Sequence, residues 1–471
     1  MTLPPGPLVA WLGDDFTGGA AVAETLAFAG LPAALFLEPP APAMLARFPA
    51  LRGIGIATTA RAESPAWMDE HLPALFAALL ATGAPLIQYK ACSTMDSAPR
   101  VGSLGRALEL GLAATGEACA PLLFASPEMG RYQAFGQLFA AGPGGIHRID
   151  RHPVMARHPV TPVDEADVAR HLGRQTGLPL AALMRPGLGL EGFEALAAQG
   201  ARGVAVDCAG ADDLAAVGRI VWSRRFVLGS QGVESALLAH FRERGWLGEE
   251  PARPLPSRVE RVAVVSGSAS TVTARQIAWA EGQGWPVVCL DAGALFGPGR
   301  SAAVARATEG ARAALAAGRS PIVASLRGPD DPALPATRAA IASAGLSPAE
   351  GEARIGEVLG ALLAALLPMG LSRVLVAGGD TSGRVARALG MVALEPLAWI
   401  AHGASLMRGH RAEGPPVEII LKGGQMGPED LFARALGPRT EAGQEGEDPP
   451  PERPTTTHHQ GERHDHPHRA A

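Results

Sequence analysis

The chain has 471 residues, 47% of them hydrophobic and 18% charged, with a net charge of −5 and a mean hydropathy of +0.13. That is too long for one ordinary domain and apolar enough to build real cores, so two or three folded domains are expected. A pI near 6.2 argues against the broad basic face that nucleic acids or anionic membranes need.

Short apolar runs at 8–12, 33–37, 53–58, 86–89 and 122–125 read as buried strands, with helices at 17–29, 65–81 and 103–114 between them. Strands at 203–206 and 226–228 and a helix at 233–242 continue the series. The proline- and charge-rich stretch 248–258 reads as a linker. A second series follows, with strands at 262–265, 287–290, 322–326, 374–377 and 417–421. Its helices are expected at 272–281, 302–316, 355–366 and 382–389. The fold class is therefore α/β: two α/β domains with mainly parallel sheets and a cleft between them. The expected boundaries are 1–247, the linker 248–258, and 259–438. Residues 439–471 lack apolar periodicity and read as a disordered tail. Five of the 13 histidines fall in 457–471, and a solvated tail explains them better than a specific metal site.

Residues 1–14 lack the basic start of an export signal, and the most apolar helical stretch, 358–371, is broken by Gly360, Pro368 and Gly370. It falls short of the ~20 apolar residues of a membrane span. Cys92, Cys119, Cys208 and Cys289 form no CxxC pair, which argues against a disulfide framework or structural zinc. A cytoplasmic protein without membrane or nucleic-acid partners is expected, with a homo-oligomer left open.

Of 41 basic residues only Lys90 and Lys422 are lysines, and asparagine is absent. Where arginine serves for generic surface charge, a surviving lysine marks a place that needs a compact ammonium. Neither lysine stands in a Walker A loop or in a protein-kinase strand.

Four constellations carry chemistry. Gly13-Asp14-Asp15-Phe16-Thr17-Gly18-Gly19-Ala20 lies where a strand meets a helix, the ligand edge of an open α/β sheet. Its paired acids suit hydroxyl recognition, metal binding or proton abstraction, and Asp15 or Thr17 could also cap the helix. Lys90-Ala91-Cys92-Ser93-Thr94-Met95-Asp96-Ser97 gathers an ammonium, hydroxyls and a carboxylate, an inventory for a small polyhydroxy acid. Lys90 and Ser93 would hold the acid's carboxylate and hydroxyls, with Asp96 on its alcohols. Ser266-Gly267-Ser268-Ala269-Ser270 and Gly378-Gly379-Asp380-Thr381-Ser382-Gly383 each lead from a strand into a helix, where exposed N–H groups suit phosphates. Lys422-Gly423-Gly424-Gln425-Met426-Gly427 adds a point charge for them. His147, His152 and His158 have no metal-motif spacing, so packing or hydrogen-bonding roles are expected.

Together these motifs resemble the four-carbon acid sugar kinases. Gly13–Gly18 looks like that family's N-terminal acid-sugar motif. Gly378–Gly383 is similar to its GGETSG nucleotide motif, and Lys422–Gly427 resembles its K-S-G-N-F-G turn. The resemblance covers the chain to about residue 437. It implies an N-terminal domain for a sugar acid and a C-terminal domain for ATP with Mg²⁺, with phosphorylation of a terminal hydroxyl of a tetronate or 3-oxo-tetronate. The chain departs from the family at Lys90–Ser97, which lacks the usual Arg-Gly, at Asp380 and at Gln425. The first departure and the stretch 151–162 look like a subgroup for branched acids such as 3-oxo-isoapionate.

On this reading Asp15 accepts the proton of the attacking hydroxyl and Asp14 orients the acid or a metal-bound water, or the two exchange roles. Asp14, Asp15, Thr17, Lys90, Ser93 and Asp96 would surround the sugar acid. Ser266, Ser268, Gly378, Gly379, Asp380, Thr381, Lys422, Gly423 and Gly424 would hold the nucleotide, and no resident metal site of protein ligands is expected. The alternatives are a sugar-acid sensor without turnover and an NAD-dependent dehydrogenase. The absence of a GxGxxG fingerprint after any expected strand disfavours the dehydrogenase.

Overall fold

Continuous apolar runs become strands buried on both faces, as a parallel sheet covered by helices requires. In the computed structural model, which describes residues 2–158 and 160–438 and only the backbone of Asp380, the first half supplies β1 (Val9–Gly13), β2 (Ala33–Phe36), β3 (Gly53–Ala57), β4 (Leu86–Lys90) and β5 (Ala120–Leu123). An antiparallel trio follows: β6 (Arg131–Ala134), β7 (Gln137–Gly142) and β8 (Gly145–Arg148). The half closes with β9 (Leu180–Leu183), β10 (Gly203–Val206) and β11 (Phe226–Gly229). The second half supplies β12 (Ala263–Ser266), β13 (Val287–Cys289), β14 (Ile322–Ala324), β15 (Arg373–Ala377), β16 (Met391–Ala401), β17 (Ala404–Arg411) and β18 (Val417–Lys422). The tail expected at 439–471, with its histidines, lies outside the described residues.

One fifteen-stranded sheet runs through both halves in the order β13-β14-β12-β15-β18-β17-β16-β2-β3-β1-β4-β11-β5-β10-β9. Pairing is parallel from β2 to β9 and from β13 to β18. Between them β18–β17, β17–β16 and β16–β2 are antiparallel. β2 of the first half thus pairs directly with β16 of the second, through Leu35↔Leu394 and Phe36↔Ala393. The sequence reading missed the β16–β17 hairpin, because Pro396 interrupts one strand, Gly409 the other, and register shifts blur the alternation. The segment 248–258 contains no helix or strand, and Pro254 accepts a 2.8 Å bond from the Trp399 N–H of β16. The helix expected at 382–389 begins earlier and spans Gly379–Ala388, so Gly379, Asp380 and Thr381 form its first turn. The helix expected at 355–366 spans Pro348–Leu366, started by a Ser347/Glu350 capping box.

Glycines in the sheet make room for Trp11, which is fully buried on β1. A Cβ on Gly55 would lie 2.1 Å from the Trp11 ring, and one on Gly53 would lie 3.1 Å from it. So seated, the indole N–H donates to the Gly19 carbonyl at 3.1 Å and ties the helix Phe16–Phe28 to β1. Gly13 completes the close approach, since a Cβ there would meet the Asp15 carbonyl oxygen at 2.9 Å. Gly55→Ala is therefore expected to displace Trp11 at a cost of about 1–3 kcal/mol. Thermal unfolding should show a lowered midpoint, and kcat should fall because the Asp14–Asp15 turn loses its tie.

Candidate functional site

The first half places its charged groups at the carboxyl ends of β1 and β4, which are paired Gly13↔Lys90. Asp15 is the N-cap of the helix Phe16–Phe28: its Oδ1 accepts from Gly18 N at 2.8 Å and its Oδ2 from Thr17 Oγ1 at 3.1 Å. Asp14 is almost wholly buried, and Arg61 reaches it from the 3-10 turn after β3. Arg61 Nη2 and Nε donate to the two Asp14 oxygens at 2.8 and 3.2 Å, while Nη1 donates to Asp15 Oδ2 at 3.0 Å. Burial lifts the Asp14 pKa above its ordinary value despite Arg61. At Asp15 burial pushes the same way, but the charges of Arg61 and Lys90 and the Thr17 and Gly18 bonds outweigh it and hold the carboxyl below the usual range. Asp15 is the more accessible of the two, with 22% of its side chain exposed against 2% for Asp14.

Lys90 is buried, and its Nζ donates to the Ala91 carbonyl at 2.8 Å. A Cβ on Gly18 would lie 2.9 Å from that Nζ and 2.2 Å from Asp15 Oδ1, so only glycine fits between cation and carboxylate. Behind Lys90 stands Glu234, whose buried carboxyl oxygens have no hydrogen-bond partner. Burial pushes its pKa up to about 8, against the charge of Lys90, which pulls it down. In the turn that follows, Asp96 Oδ1 accepts from Thr94 Oγ1 at 2.7 Å, the Cys92 thiol lies 2.9 Å from the same hydroxyl, and Ser93 is buried. The three histidines serve the fold. His152 and His158 accept backbone N–H bonds through Nδ1, and His147 bonds the Pro143 carbonyl.

In the second half three turns converge. Lys422, at the end of β18, is completely buried, and its Nζ donates to Thr273 Oγ1 at 2.7 Å and to the Gly424 carbonyl at 3.3 Å. No carboxylate among the described residues lies within 4.0 Å of it. Thr273 belongs to the helix Thr271–Gly282, capped by Ser270, whose Oγ accepts from Thr273 N. Thr273 Oγ1 also reaches Ser268 Oγ at 3.2 Å and the Gly424 carbonyl at 2.9 Å. Gly378 adopts φ +127°, a conformation suited to glycine, and accepts its place from the Lys422 carbonyl, to which its N–H donates at 2.9 Å. A Cβ on Gly267 would meet Thr381 Oγ1 at 2.3 Å, which brings the two Gly/Ser turns together. Ser266 is fully buried and its hydroxyl accepts from Ser268 N, so it shapes the turn from behind. Beside the turns, at the ends of β13 and β14, opens a cavity of about 780 Å³ lined by Thr271, Arg275, Cys289, Asp291, Ser325 and Arg327, among others.

The two halves meet at these motifs. A Cβ on Gly379 would find one near neighbour, Thr17 Oγ1 at 3.8 Å, and a Cβ on Gly383 would touch the Phe16 ring at 3.3 Å. The N-termini of the helices Phe16–Phe28 and Gly379–Ala388 therefore face each other, with Asp15 on one side and the glycine turn on the other. The sequence motifs located both turns. They missed Arg61, Glu234, Thr273 and Gln276, whose Nε2 donates to the Met426, Gly427 and Pro428 carbonyls. Each stands on an element remote in sequence from its partner, without a local motif to mark it.

Residues 9–237 match the sugar-binding N-terminal domain family and residues 263–432 the nucleotide-binding C-terminal domain family. A 3-oxo-isoapionate kinase of Paraburkholderia graminis is 43% identical over 91% of this chain and 94% of its own. A 3-oxo-tetronate kinase of Methylobacterium radiotolerans is 32% identical over 90% and 97%. The chain belongs to the four-carbon acid sugar kinase family. It is an enzyme, a kinase of small sugar acids that uses ATP, and neither a dehydrogenase nor a sensor without turnover is favoured. Solved structures from Salmonella typhimurium LT2 (TM-score 0.74, 23% identical, 91% of this chain and 98% of that one) and Haemophilus influenzae (0.69, 23%, 90% and 98%) share the fold. Among the described residues no helix is long and apolar enough to cross a membrane.

Burial lowers the Lys422 pKa to about 7. Because this folded value lies below that of an unfolded lysine, the unfolded chain binds more protons between about pH 7 and 10, and the lysine's contribution to stability rises with pH there. Phosphates would reverse that preference and draw a proton onto Nζ. ATP affinity should therefore be nearly flat below pH 7 and fall as pH rises from 7 to 9, with proton uptake visible as a buffer-dependent heat in calorimetry. Lys422→Met should raise the melting midpoint of the ligand-free protein and abolish that pH dependence, while raising KM for ATP roughly tenfold or more.

Proposed function

We propose that this kinase transfers the γ-phosphoryl group of Mg-ATP to a terminal hydroxyl of a branched oxo-acid of the 3-oxo-isoapionate type, in the cytoplasm. The greater likeness to the 3-oxo-isoapionate kinase, 43% identical against 32% and 31% for two 3-oxo-tetronate kinases, favours the branched acid. Residues 1–247 hold the acid and residues 259–438 the nucleotide in this reading. The observation that supports the reaction is the approach of Thr17 to Gly379, which in this reading sets the carboxylate pair opposite the turn that binds phosphate.

Phosphoryl transfer asks for positioning and charge neutralisation more than covalent help. The acid's primary hydroxyl lies against Asp15, the accessible carboxylate, which takes its proton as the new O–P bond forms and the bond to ADP breaks. Arg61 fixes Asp14 and Asp15 against mutual repulsion, and Lys90 keeps Asp15 ionised. The N–H group of Gly379, the Ser268 hydroxyl and the Lys422 ammonium meet the phosphates. The cavity bounded by Thr271 and Asp291 suits the nucleoside, since the helix Thr271–Gly282 forms a wall of both spaces. Mg²⁺ supplies further charge neutralisation. Of the described carboxylates, Asp15 faces the glycine turn and would be the one available to such an ion, which would bind mainly through phosphate oxygens.

The test is ADP release with Mg-ATP across tetronates, 3-oxo-tetronates and branched oxo-acids. Highest kcat/KM on the branched acid is the expected result; preference for a linear acid would overturn the substrate, and silence on all of them the reaction. Asp15→Asn should lower kcat about 100-fold or more while ATP binding stays within a factor of about two. Near-normal turnover would remove Asp15 from its role.

A further inference from the structure

Three cations stand around the turn after β4, and among the described residues Arg61 is the one of them with carboxylates in ion-pair distance. Arg61 is spent on Asp14 and Asp15. Lys90 lies against Asp15, with its Nζ on the Ala91 carbonyl. The third is Arg131, the first residue of β6. Its N–H and carbonyl pair with Ser126 at 3.1 and 2.9 Å, which sets it just beyond the carboxyl end of β5, on the same ligand edge as Lys90 and two strands away.

The guanidinium is held but unpaired. Nη1 donates to the carbonyls of Met129, Gly130 and Ala141 at 3.2, 3.3 and 3.2 Å, which fixes its plane. Nε is buried and has no hydrogen-bond partner. Among the described residues no carboxylate lies within 4.0 Å of it, in contrast to Arg61, Arg106 and Arg373. Its charge acts on Cys92 and Asp96 in the turn after β4, so it looks onto the residues expected to surround the sugar acid. Burial depresses its pKa, meaning that its surroundings penalise a charge left unmatched. A buried donor without a partner is costly, and a planar fork is the geometry that binds a carboxylate through two parallel bonds.

We infer that Arg131 binds the carboxylate of the substrate and makes the enzyme select acids over neutral sugars. This rests on the sugar-acid kinase reading and moves the carboxylate contact from Lys90, which the sequence suggested, to Arg131. Lys90 then serves the reacting end of the molecule, beside Asp15, and the acid spans the distance from Arg131 to the Asp15 carboxylate.

The test compares kcat/KM for the acid that the unaltered enzyme turns over with kcat/KM for its primary amide, in the full-length enzyme and in Arg131→Gln and Arg131→Lys. The unaltered enzyme should prefer the acid by roughly 100-fold, a discrimination of the size seen when a buried charged group loses its partner. Arg131→Gln should lose most of that preference, through a drop with the acid and little change with the amide, and KM for ATP should stay constant. Arg131→Lys should recover part of the preference, and it keeps the test open if the Gln variant does not fold. Equal losses on acid and amide would mean that Arg131 only holds the Met129–Ala141 carbonyls, and would overturn the inference. An undiminished preference in either folded variant would do the same. Absence of turnover by the unaltered enzyme on every acid would overturn the underlying reaction, and the inference with it.

Discussion

Two carboxylates side by side at the end of β1 are held together by Arg61. At an effective dielectric near 20, unit charges 4 Å apart interact by about 4 kcal/mol, so the pair needs a cation against it to remain in place. Arg61 takes both oxygens of Asp14 and one of Asp15, and Lys90 approaches Asp15 through the gap left by Gly18. The two acids then diverge: Asp14 is buried and its pKa is raised, whereas Asp15 is accessible and its pKa is lowered. One environment thereby shifts the pKa values of two neighbouring carboxyls in opposite directions.

The same economy of charge governs the second half. Lys422 is buried, and among the described residues its Nζ bonds only neutral partners, Thr273 Oγ1 and the Gly424 carbonyl, a thermodynamically poor position for an ammonium until an anion arrives. Among the described residues neither Lys422 nor Arg131 has a carboxylate within ion-pair distance, and in the proposed reading these two cations would meet a phosphate and a carboxylate. Cradles of this kind give up some stability of the empty protein for affinity toward the occupied one.

What brings the two halves to bear on one another is the strand junction. β16 and β17 bridge the parallel sheets, β2 pairs with β16, and the facing helices seat Gly383 on Phe16. The Asp14–Asp15 turn and the Gly378–Gly379 turn are therefore positioned by backbone hydrogen bonds and core packing, the most rigid connections a fold offers.

Much of this was legible in the residues. The parallel strands announced themselves as continuous apolar runs because both faces are covered, and Gly378–Gly383 and Gly13–Gly18 announced themselves because a strand-to-helix turn at a ligand site needs small residues and hydroxyls in a short span. The scarcity of lysine singled out Lys90 and Lys422, and both prove to be buried at strand ends. Other features were decided only in three dimensions. The β16–β17 hairpin carries no clean alternation, because Pro396 and the bulges break its period. Arg61, Glu234, Thr273 and Arg131 are single residues within ordinary local sequence, and their importance comes from partners some 40 to 150 positions away or, for Arg131, from an Nε without a hydrogen-bond partner among the described residues. A one-dimensional pattern records what neighbours along the chain require. Whether a charge meets its counter-charge depends on which strand ends the sheet order brings together, and only the tertiary structure sets that.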